Sequence, residues 1–181
     1  MFIRTERLFL RPVFPEDWRA VHAAIADERI VRMLACVPWP YGEAEAQRFC
    51  AEEDGACRFA ITLPGRKGAA LIGMIGLRDE SEGLELGYWI ARPYWGQGFA
   101  VEAGQGVLDT ARALGRHRIL AGHYLDNPAS GRVLEKLGFI RTGEIRPTFC
   151  QGRGGEMVLA RRYALQAAEP TGSDAGVVAS A

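Results

Sequence analysis

The chain lacks the marks of several large protein classes. Only four of its 181 residues are cysteines (Cys36, Cys50, Cys57 and Cys150), and no two of them stand at Cys-x-x-Cys spacing. The three histidines, His22, His117 and His123, do not join them at zinc-ligand spacings. Neither a disulfide framework nor a metal is expected, and the thiols read as reduced, small hydrophobes of a cytosolic protein. A catalytic cysteine would have no partner motif here. No apolar run approaches the ~18 residues of a membrane span. Met1-Phe2-Ile3-Arg4 reaches a charge at once, which leaves no secretory apolar stretch. Lys+Arg and Asp+Glu each number 22, so the formal charge is zero. A nucleic-acid footprint and a polybasic membrane patch are not expected, and long-range steering of charged substrates has no basis. Gly-x-x-x-x-Gly-Lys-[Ser/Thr] and Gly-x-Ser-x-Gly are both missing.

What remains is an ordinary globular composition, 48% apolar, in a chain long enough for one domain with a real core. We expect that domain over residues 1–166 and a mobile tail over 167–181, where Pro, Gly, Ser and Ala offer few anchors. Phe2 to Arg11 alternates and ends at Pro12, as a strand should. Pro15-Glu16-Asp17 suits a helix start, and a second helix is expected from Glu43 to Glu53. Arg58–Leu63, Ala69–Leu77 and Leu84–Ala91 read as a three-strand meander, with Pro64 to Gly68 as its first turn. A helix from Phe99 to Leu114 stops at Gly115. Gly104 and Gly106 within it suggest close contact between helix and sheet, since each costs about 1 kcal/mol relative to Ala. His117–His123 is a strand, Asn127-Pro128 opens a helix that ends at Gly138, and Phe139–Ile145 and Glu156–Tyr163 return as strands. Meander strands are antiparallel and strand–helix–strand units parallel, so the sheet must be mixed.

The most informative segment joins the third meander strand to the helix at Phe99 through Gly96-Gln97-Gly98. Unpartnered N–H groups and the macrodipole at a helix start favour an anion. Glycines allow close approach and positive φ. Val101 stands where a dinucleotide fingerprint needs a small third residue. A pyrophosphate is the expected ligand, and a plain tight turn is the alternative.

Glu85-Leu86-Gly87-Tyr88-Trp89-Ile90, followed by Tyr94-Trp95-Gly96-Gln97-Gly98-Phe99-Ala100-x-Glu102-Ala103, resembles the acetyl-CoA loop of the GNAT acetyltransferase superfamily. Thr5-Glu6-Arg7-Leu8-Phe9-Leu10-Arg11-Pro12 looks like the opening strand of its ribosomal-protein N-terminal acetyltransferase branch, the RimJ/RimL-like one. Asn127-Pro128-Ala129-Ser130 with Glu135-Lys136-Leu137-Gly138-Phe139 looks like that branch's second cofactor motif. The resemblance spans roughly residues 1–165. It implies an α/β (α+β) GNAT fold: a mostly antiparallel central sheet whose fourth and fifth strands run parallel and splay apart, flanked by helices. It also implies acetyl-CoA as cosubstrate, held by Tyr88, Trp89, Ile90, Trp95, Gly96, Gln97, Gly98, Phe99, Ala100, Val101, Asn127 and Ser130. The backbone of Tyr88 to Ile90 would pair with pantetheine amides as a strand does.

Direct acetyl transfer to an amine requires placement, a donor for the carbonyl oxygen and an exit for the proton. Ile90 N–H is the candidate donor. Ser130 faces the sulfur, the backbone or solvent. Many relatives carry a tyrosine seven residues after the Asn as general acid. Leu134 stands there, so Ser130 or water must serve. Pro93 offers no donor where relatives have Gln or Arg, which leaves the phosphates to backbone N–H groups. Glu85 is either a base or an acid in a cross-strand ion pair. His123 is the other base candidate, with Glu144 and Glu156 weaker. Trp39 and Tyr41, with Pro40, are expected to line the acceptor cleft on one side and Phe149, with Cys150 and Gln151, on the other. The expected activity is N-acetyl transfer through a ternary complex, preferably to a protein or peptide α-amine. Such an amine, with a pKa near ~8, needs less base than lysine near ~10.4. A small amine (an antibiotic or amino acid), or a non-catalytic CoA-binding module, stays open. So does monomer against homodimer.

Overall fold

The structure is a computed structural model that describes residues 1–52, 57–66 and 68–165. The expected opening strand is two strands. β1 (Ile3–Arg4) turns back on β2 (Phe9–Pro12), with Thr5 N–H donating to the Leu8 carbonyl at 3.0 Å. A single 3₁₀ turn at Pro15–Asp17 leads into α1 (Trp18–Ile25), and Arg11 grips Asp17 with both guanidinium nitrogens at 2.7 Å. A short helix, α2 (Glu28–Val31), was not expected, although its signal is legible: Asp27 caps it, accepting from Arg29 N–H at 2.9 Å. α3 spans Glu43–Ala51. The meander is β3 (Cys57–Leu63), β4 (Ala70–Glu80) and β5 (Gly83–Ile90). Then come α4 (Phe99–Ala113), β6 (Ile119–Tyr124), α5 (Pro128–Lys136), β7 (Phe139–Cys150) and β8 (Glu156–Leu165). Glu53, Lys67, Gln166 and the expected tail over 167–181 lie outside the described residues.

The eight strands form one sheet in the order β1-β2-β3-β4-β5-β6-β8-β7, and every pair is antiparallel except β5–β6. The expected fourth and fifth strands are therefore β5 and β6, one number later because the first strand is broken. One face carries α4 and α5 over a core that includes Leu10, Ile61, Leu86, Leu108, Ile119, Leu134 and Tyr163. The other face carries α1 and α3 over Val21, Ile25, Ala46, Ala60 and Met74. The two helix glycines meet different neighbours. A Cβ on Gly106 would lie 3.0 Å from Thr5 and 3.2 Å from Ile3, against the sheet edge as expected. A Cβ on Gly104 would lie 2.6 Å from Leu137, so the close contact there is between α4 and the end of α5. Among the described residues no helix is long and apolar enough to cross a membrane.

Candidate active site

β5 and β6 pair over only three residues, Leu84↔Ile119, Glu85↔Leu120 and Leu86↔Ala121, and then part. The directions of the backbone groups follow from the ladder. Ala91 N–H donates to the Ile72 carbonyl at 2.8 Å, so in the antiparallel β4–β5 register the odd residues Trp89, Gly87 and Glu85 exchange hydrogen bonds with β4. The even residues point their backbones the other way, as the Leu84 N–H to Arg118 carbonyl bond at 3.0 Å shows. Beyond Leu86, then, Tyr88 N–H, Tyr88 C=O and Ile90 N–H face the gap. Ile90 C=O accepts the Trp95 indole N–H at 2.6 Å, which folds the following loop back on the strand end.

That loop turns at Gly96 (φ 74°) and Gly98 (φ 83°), and Gly98 is the N-cap of α4. Both angles lie in the left-handed region that suits glycine. Glu102 N–H donates to the Gly98 carbonyl at 3.1 Å. The N–H groups of Phe99, Ala100 and Val101 precede it and have no intrahelical acceptor. The Gln97 side chain folds onto the Pro93 carbonyl at 3.0 Å, leaving only that loop's backbone toward the helix end. Arg7, from the β1–β2 turn, was not singled out from the sequence. Its guanidinium lies 4.5 Å from the Phe99 ring centre, donates to Gln97 C=O at 3.1 Å and to Glu102 at 2.6 Å. Thr5 Oγ1 also donates to Glu102, at 2.6 Å. This network joins the opening hairpin to the start of α4.

α5 begins where the gap opens. Asn127 Oδ1 accepts Ser130 N–H at 3.3 Å, so Asn127 is the N-cap. Ser130 Oγ meets the Tyr88 hydroxyl at 2.9 Å, joining α5 to β5 across the parting strands. Burial pushes the Tyr88 phenol up to about 12, against the Ser130 hydrogen bond, which lowers it. Leu134 is 1% exposed and belongs to the apolar core.

The two base candidates lie on opposite faces. Glu85 shares the α1/α3 face with Trp89, and its Oε1 accepts from Arg162 of β8 at 2.7 Å. A Cβ on Gly122 of β6 would lie 2.6 Å from that guanidinium, so the bare glycine lets Arg162 cross over β6 to reach β5. His123 shares the α4/α5 face with Ala121. Its Nδ1 lies 2.7 Å from the Tyr124 carbonyl and its Nε2 3.2 Å from the Tyr163 hydroxyl. A proton donated at Nδ1 and a lone pair accepting at Nε2 satisfy both contacts. Glu144 and Glu156 are exposed.

On the α1/α3 face a pocket of about 160 Å³ is lined by Val21, Ile25, Cys36, Val37, Pro38, Tyr41, Glu45, Arg48, Phe49, Glu52 and Trp89. Of the expected acceptor residues, Tyr41 lines this pocket and is largely buried. Trp39 and Phe149 are exposed. The Phe149 carbonyl accepts from the Tyr124 hydroxyl at 2.9 Å, beside the cluster of Tyr124, Cys150 and Ala160. Trp89 is the element that ties the pocket to the gap: its side chain lines the one, and Ile90, next along, faces the other.

These features can be set beside known proteins. A family model described as an acetyltransferase (GNAT) domain matches residues 7–140. The uncharacterized N-acetyltransferase YoaA of Bacillus subtilis is 33% identical over 153 residues, which are 80% of this chain and 85% of that protein. An acetyltransferase (GNAT family) from Bacillus anthracis superposes with a TM-score of 0.79 at 30% identity, covering 92% of this chain and 98% of that one. RimL, the ribosomal L7/L12 alpha-N-protein acetyltransferase, in complex with coenzyme A, shares the fold alone. Its TM-score is 0.74 at 18% identity, over 91% of this chain and 97% of that one.

Proposed function

The chain belongs to the GNAT acetyltransferase family and is an acetyl-CoA-dependent N-acetyltransferase, and on that premise we propose that its acceptor is a protein or peptide α-amine. The observation that supports its cosubstrate site best is the unpaired edge of β5. Tyr88 N–H and Tyr88 C=O offer an amide-bearing arm the bonds of a neighbouring strand, and Ile90 N–H is left for the acyl group. The helix start behind Gly98 fits a pyrophosphate, since nothing lies within 4 Å of a Cβ on Gly96 and only Arg7 Nη2, at 3.5 Å, near one on Gly98. Gly96, Gln97, Gly98 and the N–H groups of Phe99, Ala100 and Val101 would hold the phosphates. Asn127 and Ser130 would flank the arm from α5. Acetyl-CoA supplies an activated acyl group. Ile90 N–H stabilises the charge that develops on the carbonyl oxygen, and Ser130 serves the sulfur.

The acceptor enters from the α1/α3 face, where Trp89 and Tyr41 line the pocket and Trp39 lies in the loop between its lining residues Pro38 and Tyr41. Glu85 shares this face with Trp89 and accepts the amine proton, directly or through water. His123 is turned to the other face. The demand on that carboxylate, which Arg162 holds in place at 2.7 Å, is small for an α-amine, because such an amine is already partly neutral at working pH. RimL, by its name, acts on an α-amine of a ribosomal protein. The small volume of the pocket supports a second reading, an amino acid or other small amine. The setting is cytosolic in either case. The test is free-thiol release from acetyl-CoA with a panel of peptide α-amines, lysine side-chain amines and small amines. Release with α-amino peptides above all is expected. Release with small amines alone would give the second reading, and CoA binding without turnover on any amine would make the protein a binding module.

A further inference from the structure

Ser130 has one hydroxyl proton, and where it points decides what the residue can do. Its backbone N–H is already taken by Asn127. Its Oγ lies 2.9 Å from the Tyr88 hydroxyl, while the Ser130 carbonyl lies farther from that hydroxyl, at 3.4 Å. Two arrangements are open to the pair. Either serine donates to tyrosine, or tyrosine donates to serine and leaves the serine proton free to point elsewhere. No other hydroxyl exists on α5, and Leu134, one turn on, lies in the apolar core. His123 and Tyr163 are matched to each other. Tyr88 is also the first residue past Leu86 whose backbone faces the gap, so its ring is fixed by the same strand that would hold the coenzyme.

The geometry points to Tyr88 as a positioning residue: its O–H donates to Ser130 Oγ and so turns the serine O–H toward the sulfur of a coenzyme lying in the gap. The inference rests on acetyl-CoA occupying that gap as read above. No bond is made or broken between Tyr88, Ser130 and the sulfur. The pair acts by hydrogen bonding alone, and each group keeps its proton. A phenol whose buried oxygen resists ionisation stays a donor at all working pH. The consequence is electrostatic. A donor aimed at sulfur favours the thiolate over the thiol, so it lowers the pKa of bound coenzyme A.

That pKa can be read without knowing the acceptor, by titrating the ultraviolet thiolate absorbance of reduced coenzyme A bound to the full chain. A Ser130→Ala chain should raise it by about one unit relative to wild type. Tyr88→Phe, which keeps the ring and its packing, should raise it by a similar amount. The double variant should add little, because the two groups act as one unit. Ser130→Thr, which keeps a hydroxyl, should stay near wild type. A thermal melt shows that each variant is folded, and a coenzyme A titration sets the concentration at which each is saturated when the pKa is read. If Ser130→Ala raises the pKa and Tyr88→Phe does not, the positioning role is overturned and the function above stands. If neither substitution moves it while coenzyme A still binds, the sulfur-facing role of Ser130 falls together with that of Tyr88. If wild type binds no coenzyme A, the assignment of the gap itself is wrong, and this inference falls with it.

Discussion

Gly98 combines a left-handed φ of 83° with the N-cap position of a 15-residue helix. A Gly98→Val side chain would be strained there and would stand between any phosphate and the first-turn N–H groups. Coenzyme A affinity should fall at least about tenfold, roughly 1.4 kcal/mol, by calorimetric titration, with a thermal melt confirming that the variant folds. Unchanged affinity in a folded variant would remove the phosphate site from this loop. Glu102 carries a different kind of consequence. Partial burial pushes its carboxyl up, but hydrogen bonds from Thr5, from Arg7 N–H and from the Arg7 guanidinium outweigh that and hold it below its ordinary 4.5. A carboxyl whose pKa is lowered by folding adds stability that is complete above the ordinary value. That stability is lost as pH falls through the folded value. Glu102→Gln should therefore lower stability in urea melts at neutral pH by about 1 kcal/mol, and flatten the acid limb of the midpoint below about pH 4.5. Coincident midpoints for the two chains across that window would show that the network contributes nothing.

Between elements, the contact of α4 with α5 depends on the missing side chain at Gly104. Ala there would gain about 1 kcal/mol of helix propensity. Its Cβ, however, would stand 2.6 Å from Leu137 Cδ1 in a packed core, and overpacking of this kind costs about 1–3 kcal/mol. Gly104→Ala should therefore be destabilising by about 1 kcal/mol in urea melts, and the loss should vanish in a chain that also carries Leu137→Ala. Additive losses would place the strain elsewhere. The element level also shows what the sequence could tell. α4, α5, the meander and the parallel pair were legible because glycine, Asn-Pro and apolar periodicity mark them locally. The break at residues 5–8 and α2 were missed: alternation runs through the first, and the second is one turn long. In the site, the glycine turn and the α5 cap were legible as local motifs. Arg7, Arg162 and the Tyr88–Ser130 bond were not, because each joins residues 42 to 95 positions apart. Period-2 alternation does assign Glu85 to its face, but only the fold brings Arg162 over Gly122 to meet it.

At the scale of the whole molecule, the sheet is two antiparallel leaves, β1 to β5 and β6-β8-β7, joined by three paired residues. The Arg162–Glu85 ion pair is a second tie between them, and Arg162 is 7% exposed. Gly122→Ala should push the guanidinium off Glu85 and leave a buried charge without its partner, lowering stability by about 2 kcal/mol. Arg162→Met in the same chain should recover most of that loss in denaturant melts; failure to do so would deny the tie its role. The parting of the leaves has one more consequence, in the exchange of amide protons with solvent. Along β5 the amides of Gly87 and Trp89 are bonded to β4, while those of Tyr88 and Ile90 open on the gap. Exchange in the free protein should therefore alternate with residue number, slow at 87 and 89 and fast at 88 and 90. Saturation with acetyl-CoA should abolish the alternation by slowing the even pair alone.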